Sequence, residues 1–392
     1  WDWTFTKADH TANAPYNLHD RATKSTITTY SDEAMSLSKR TGEQVITYDA
    51  YDKFGNSLLQ RVDSSIVDST GALVYKNTQT VTNTYLDAVA ARRGNPSRTV
   101  SYTYKTAGSV AFNAATQSYE ESANPVRIER STTDYVYDTR GYATDQTSVR
   151  EKWYNSAWEI STETVIRNEE IDNRGDAGVQ YITTYTTDEA GAYITKDGVK
   201  LASTYQVITN RVFDGEHNVV NQMAYTYDEK DSASYAGKLL LDVQEIRGIG
   251  FIGGTAATQF IATYSGIEKR DDQKISLKVV KNENIVGGNV GKSTVTNYSD
   301  WTVADRIVAG AVTEPTGMIA FVPGTQTTQQ TIVTKAEDFD DFGNSRIQDV
   351  YSKAWTIQMD AEGNFMLDAL NQPVWDWTFT KADHTANAPY NL

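Results

Sequence analysis

Runs in which Thr, Tyr, Val and Ile alternate with polar residues fill most of this chain, interrupted by clusters of Asp, Asn and Gly. Ser25–Tyr30 alternates Thr with larger side chains, and Val45-Ile46-Thr47-Tyr48 leads directly into a turn-rich stretch. A period of two over runs this short predicts β-strands that are half buried and half wet. The helical period is scarce. Its best instance is Thr84–Gly94, with Thr at the cap, an Ala-rich interior and a Gly-Asn-Pro stop. Ala233–Gly266 and Ala309–Gly324, the latter with Pro315 and Pro323, break the rhythm and read as loops or insertions. A turn is expected at Asn13-Ala14-Pro15.

One turn unit recurs. Its copies start at Asp52, Asp138, Asp172, Asp214 and Asp340, each preceded by an apolar or aromatic residue: Tyr51, Tyr137, Ile171, Phe213 and Phe339. Three positions after the Asp stand Gly55, Gly141, Gly175 and Gly343, with His217 the exception. Eight positions after it stand Gln60, Gln146, Gln180, Gln222 and Gln348. An Asp that opens a turn bonds the backbone N–H two residues on, and a Gly at the fourth place takes the left-handed conformation. Each copy therefore predicts a type I turn plus bulge at a hairpin tip. The glutamines fall on one face of the returning strand, where their amides either pair with a neighbouring module or face solvent. Weaker tips read at Asp68/Gly71, Asp188/Gly191 and Asp360/Gly363, and remnants at Gly94-Asn95 and Gly288-Asn289. The five aspartates are 86, 34, 42 and 126 residues apart. These intervals suggest an older unit of about 42 residues, multiplied and then eroded.

The stretch Tyr135-Val136-Tyr137-Asp138-Thr139-Arg140-Gly141 resembles the core of the YD repeats of Rhs-type and teneurin-type surface proteins, and Tyr51-Asp52-Lys53-Phe54-Gly55 is a looser copy. The resemblance is confined to the tip motif. It implies hairpins that wind into large sheet structures and serve as scaffold. The spacing here is longer and less regular than in that family, and no toxin or autoprotease segment is visible, which argues against a closed shell.

A second repeat is longer and perfect. Trp1–Leu18 and Trp375–Leu392 carry the same eighteen letters, and Trp375 stands 374 residues after Trp1. The expected organisation is one tandem period, 1–374, of about nine degenerate hairpin modules, with 375–392 as the start of the next. The fold class that follows is all-β: antiparallel hairpin modules stacked into an extended, twisted sheet or solenoid-like array, with at most short helices. Trp375–Phe379 should pair back on the last hairpin, and Trp1 and Trp3 should need a preceding period to cover them.

Composition sharpens this picture. Tyr (24) far outnumbers Phe (11), and aromatic residues make up 11% of the chain, too many for a disordered acidic segment. A formal charge of −15 repels phosphate and argues against nucleic acid and anionic membrane surfaces. There is no Cys for a disulfide framework or thiolate site, and no apolar run long enough for membrane insertion.

Motifs of chemical interest dissolve on inspection. Gly248-Ile249-Gly250-Phe251-Ile252-Gly253 fits a dinucleotide fingerprint, but its flanks read as hairpins rather than a parallel sheet with crossover helices, so it reads as a glycine-rich bulge. Gly287–Ser293 has three residues between its glycines where a phosphate loop has four. Asp-rich tips such as Asp338–Asn344 offer carboxylates to calcium, yet turn formation already explains every tip Asp. The four histidines have no metal spacing. No catalytic, cofactor-binding or metal residue is therefore assigned, and no enzyme is expected. The expectation is a structural repeat of an extracellular or cell-surface filament, stalk or giant repeat protein. Its partners would be the preceding and following periods and other copies of the chain. The alternative is a repeated adhesion or glycan-binding module with Trp153, Trp158, Trp301 and Trp355 as sugar platforms.

Overall fold

The computed structural model describes residues 5–9, 21–30, 40–68, 70–196, 198–227, 240–286, 289–303, 307–308, 311–312, 321–335, 347–358, 360, 364, 366–370 and 374–385. Among these, nineteen strands form one sheet. They are β1 (Phe5–Asp9), β2 (Lys24–Tyr30), β3 (Arg40–Tyr51), β4 (Ser57–Val67), β5 (Leu73–Thr84), β6 (Arg98–Tyr104), β7 (Arg127–Tyr137), β8 (Ala143–Tyr154), β9 (Ala157–Ile171) and β10 (Ala177–Thr186). The series continues with β11 (Thr204–Phe213), β12 (Val219–Tyr227), β13 (Leu240–Ile252), β14 (Thr255–Tyr264), β15 (Lys274–Val286), β16 (Asn289–Tyr298), β17 (Gln326–Val333), β18 (Ile347–Ile357) and β19 (Trp375–Thr385).

Every strand pairs antiparallel with the next in sequence, so the sheet is an uninterrupted meander. It does not close: β1 and β19 are not paired to each other. The all-β, hairpin-built class expected from the pattern is therefore what forms. Two details differ. Leu240–Ile252 and Thr255–Tyr264 are regular strands of the meander, because alternating Val243, Glu245 and Arg247 face a covered layer and make both residue types inward. The helix is only Ala88–Arg92, capped by Asp87 rather than Thr84. Asp87 accepts the Val89 and Ala90 N–H groups at 2.9 and 2.7 Å, while Thr84 ends β5.

Alternating strand direction sorts the connections. The turns at Asp52, Asp138, Asp172 and Asp214 follow β3, β7, β9 and β11, all odd, and so share one end of the sheet. Asp68, Asp188 and Asp360 follow even strands and lie at the other end. That second end also carries the long connections. Val110–Asn113 with Ser118–Glu121, and Trp301–Val303 with Phe321–Pro323, form two-stranded flaps there.

These connections fold onto one face. Phe321 and Trp301 cover Met223, Val243, Ala262, Tyr264, Leu277 and Val279, which together form the hydrophobic core. Register shows that this is the face of Thr26, Val45, Asp63, Tyr102, Arg130 and Glu151 as well. The opposite face interleaves apolar residues such as Ile46, Val62, Ile166, Ile182, Ile208, Ile246 and Ile261 with polar ones, including all five glutamines of the repeat unit, as register and alternation require.

Candidate assembly interface

The tips form as the residue pattern demands. Asp138 Oδ1 accepts the Arg140 and Tyr142 N–H groups at 2.9 and 3.0 Å, and Gly141 sits at φ +85° with its N–H on the Asp138 carbonyl. Asp52, Asp172 and Asp214 repeat this arrangement, and His217 takes the glycine place at φ +66°. Asp68 and Asp188 do the same at the other end, and Asp360 accepts the Asn364 N–H. Asp340 lies outside the described residues, as do Asn13-Ala14-Pro15, Trp1 and Trp3. These bonds set the carboxylate acidity. Asp172 is held below the usual range first by the Asp176 N–H, and Asp214 first by the Asn218 side chain.

Successive tips are stitched together. Arg21 donates to the Asp52 carbonyl at 2.7 Å, Asn56 to that of Ala91 at 2.6 Å, and Asn95 to that of Gly141 at 2.9 Å. Tyr142 donates to Asn173 at 2.5 Å and Arg174 to Asp214 at 3.4 Å. His217 and Asp176 meet at 2.8 Å. Inside the sheet, Gln180 donates to Asn168 at 3.0 Å and accepts from Asn210 at 3.2 Å, so the expected pairing of amides occurs there. A set of asparagines was missed by the sequence reading. Asn83, Asn168 and Asn210 each donate to the carbonyl five residues past a tip Asp on the preceding strand: Ser57, Ala143 and Ala177. Two of them stand four residues before the next tip Asp, a spacing visible in the sequence. Gly248 occupies the corresponding place opposite Val220. A Cβ there would lie 2.5 Å from the Phe251 ring, so the glycine-rich segment is a close-packed hairpin end.

The two edges of the sheet are the centre of interest. β19 pairs β18 over eleven residues, from Ile347 opposite Thr385 to Ile357 opposite Trp375. β1 carries the same sequence as Phe379–Asp383 but pairs forward, Phe5 opposite Tyr30 and Asp9 opposite Thr26. One strand thus appears at both edges, using one side in each place. Eighteen antiparallel steps separate the copies, an even number, so both run in the same direction. Following directly opposed residues from strand to strand also returns Phe5 and Phe379 to the same face.

At the β19 edge three indoles meet. Trp355 lies opposite Trp377 with centroids 4.8 Å apart, and stacks on Trp375 at 6.3 Å and 9°. Lys353 lies 4.9 Å over Trp377, and Gln358 donates to Asp376 at 3.0 Å. Trp375 is 44% exposed. The other tryptophans considered as platforms are engaged: Arg127 covers Trp153, Arg130 covers Trp158, and Trp301 is buried against Tyr264. One cluster of charge is internal. Buried Glu245 accepts from Arg211 at 2.5 Å and Arg247 at 2.9 Å, with Lys269 at 3.4 Å. It anchors the covered layer. Among the described residues no three His, Asp or Glu side chains converge as a metal site.

No protein-family model and no curated protein matches the chain. Two solved structures show a weak likeness to the chain. One, a protein of unknown function from Bacteroides fragilis, is 15% identical over 40% of this chain and 91% of its own, with a TM-score of 0.21. The other, a porin-like protein from Bacteroides uniformis, is 14% identical over 68% of this chain and 94% of its own, with a TM-score of 0.13. Superposition this poor supports no inference from either.

Proposed function

We propose that this chain is a structural repeat of an extracellular or cell-surface filament, stalk or giant repeat protein, in which successive periods share one continuous sheet. The observation that carries this reading is the edge strand. Because the same residues pair β18 on one side and β2 on the other, a following period continues the sheet without a seam, in the same direction and on the same face. The Asp-turn tips also support kinship with YD-repeat scaffolds. No catalytic role, cofactor or calcium is assigned, and the negative charge keeps such an array soluble and discourages lateral clumping.

The test is a chain of two periods compared with one by small-angle scattering and electron microscopy. A single stiff particle with doubled sheet length supports the reading; two particles joined by a flexible hinge refute it. The alternative, a repeated glycan-binding module, draws on the exposed Trp375 stacked on Trp355. Saturable binding of oligosaccharides that Trp375→Ala abolishes would favour it.

A further inference from the structure

We infer that the duplicated strand is exchangeable between chains: β19 of one copy takes the place of β1 on β2 of a second copy, linking chains head to tail. This rests on the continuous-sheet reading and adds a way for separate chains to join. The swap conserves every pairing. Before it, β19 holds β18 and the second copy's own β1 holds β2. After it, β19 holds both, placing Phe379 opposite Tyr30, Lys381 opposite Thr28 and Asp383 opposite Thr26, the partners that Phe5, Lys7 and Asp9 had.

Among the described residues β19 has one neighbour, β18, and an edge strand is the kind that accepts a strand of another chain. The incoming strand arrives already ordered, since β19 is paired over eleven residues with β18 and Trp375 and Trp377 pack against Trp355. The displaced segment regains its conformational freedom, which opposes the loss of translational freedom on association. Direction and face agree at the two edges, so each link repeats the last and the product is an open, growing chain.

The chain contains no Cys, so paired cysteines report the swap cleanly. The 392-residue protein carrying Thr28→Cys and Lys381→Cys is oxidised at rising concentration and separated without reductant. The expected result is a ladder of head-to-tail oligomers whose yield rises with concentration. The offset pair Thr28→Cys with Thr380→Cys should give about tenfold less, because neighbouring residues of a strand point to opposite faces. Monomer alone at every concentration, or equal yields from both pairs, overturns the proposal. A two-period chain with Lys381→Cys in the first period and Thr28→Cys in the second separates the two ideas. A bond within that chain, with none between single-period chains, leaves the shared sheet standing and removes the exchange. No bond in either removes both.

Discussion

Gly175→Ala should be markedly more harmful than Gly71→Ala, although both glycines occupy the same place in the same kind of turn. Gly71 has φ +84° and nothing within 4 Å of a built Cβ, so Ala there pays only for the left-handed backbone. That penalty, about 1–2 kcal/mol, is offset by about 0.4–1 kcal/mol from the stiffer unfolded chain, leaving about 1 kcal/mol. Gly175 has φ +97°, and its Cβ would lie 2.9 Å from two carbons of the Tyr142 ring. The ring cannot retreat freely, because its hydroxyl donates to the Asn173 carbonyl at 2.5 Å. Displacing it forfeits that bond and the packing between tips, adding about 1–3 kcal/mol. Unfolding of a long sheet need not be all-or-none, so the suitable assay is hydrogen exchange read peptide by peptide. Gly175→Ala should deprotect both the 138–142 and 172–176 tips, whereas Gly71→Ala should affect its own turn alone. Equal effects, or deprotection that stops at residue 176 without reaching Tyr142, would refute the view that the tips are stitched into a row.

Other expectations follow from the same geometry. Trp355→Ala removes the indole that packs on both Trp375 and Trp377, and should weaken the hold of β19 by about 2 kcal/mol, seen as faster exchange across 375–385. Glu245→Gln leaves Arg211, Arg247 and Lys269 around a neutral amide in a covered layer. A loss of about 3–5 kcal/mol in local opening free energy is expected, measured by hydrogen exchange across residues 243–247; a loss below about 1 kcal/mol would show that the carboxylate is not the hub of that cluster. The tips should loosen in acid. Folded Asp172 and Asp214 have depressed pKa values, so their contribution is complete above the unfolded value of about 3.9 and is lost as pH falls through the folded value. Carboxyl titration by NMR should therefore place both below free Asp, and Asp172→Asn should remove the local acid sensitivity at its tip. Tyr137 should stay protonated in mild alkali, since burial, with Tyr135 beside it, pushes its hydroxyl up to about 12 while it donates to the Pro96 carbonyl; ultraviolet titration checks this.

Much of this protein is determined locally and so was legible in its sequence. Asp at the start of a turn and Gly three places on fix a hairpin tip from bonds that span at most four residues, which is why Asp52, Asp138, Asp172 and Asp214 all formed as the pattern required. Trp375–Phe379 of the duplicated segment likewise announced a strand, which the structure extends to Thr385. Tertiary structure alone decided which tips share an end, since that depends on counting strands, and the count was obscured where Val243, Glu245 and Arg247 made a strand look irregular. It decided which face is covered, because the flaps that carry Trp301 and Phe321 are far in sequence from Met223 and Val243. It also decided that the two copies of one strand sit at opposite edges, in the same direction and on the same face. Identity of sequence fixes what a strand can pair with, but only the register accumulated through eighteen neighbours fixes where its two copies stand.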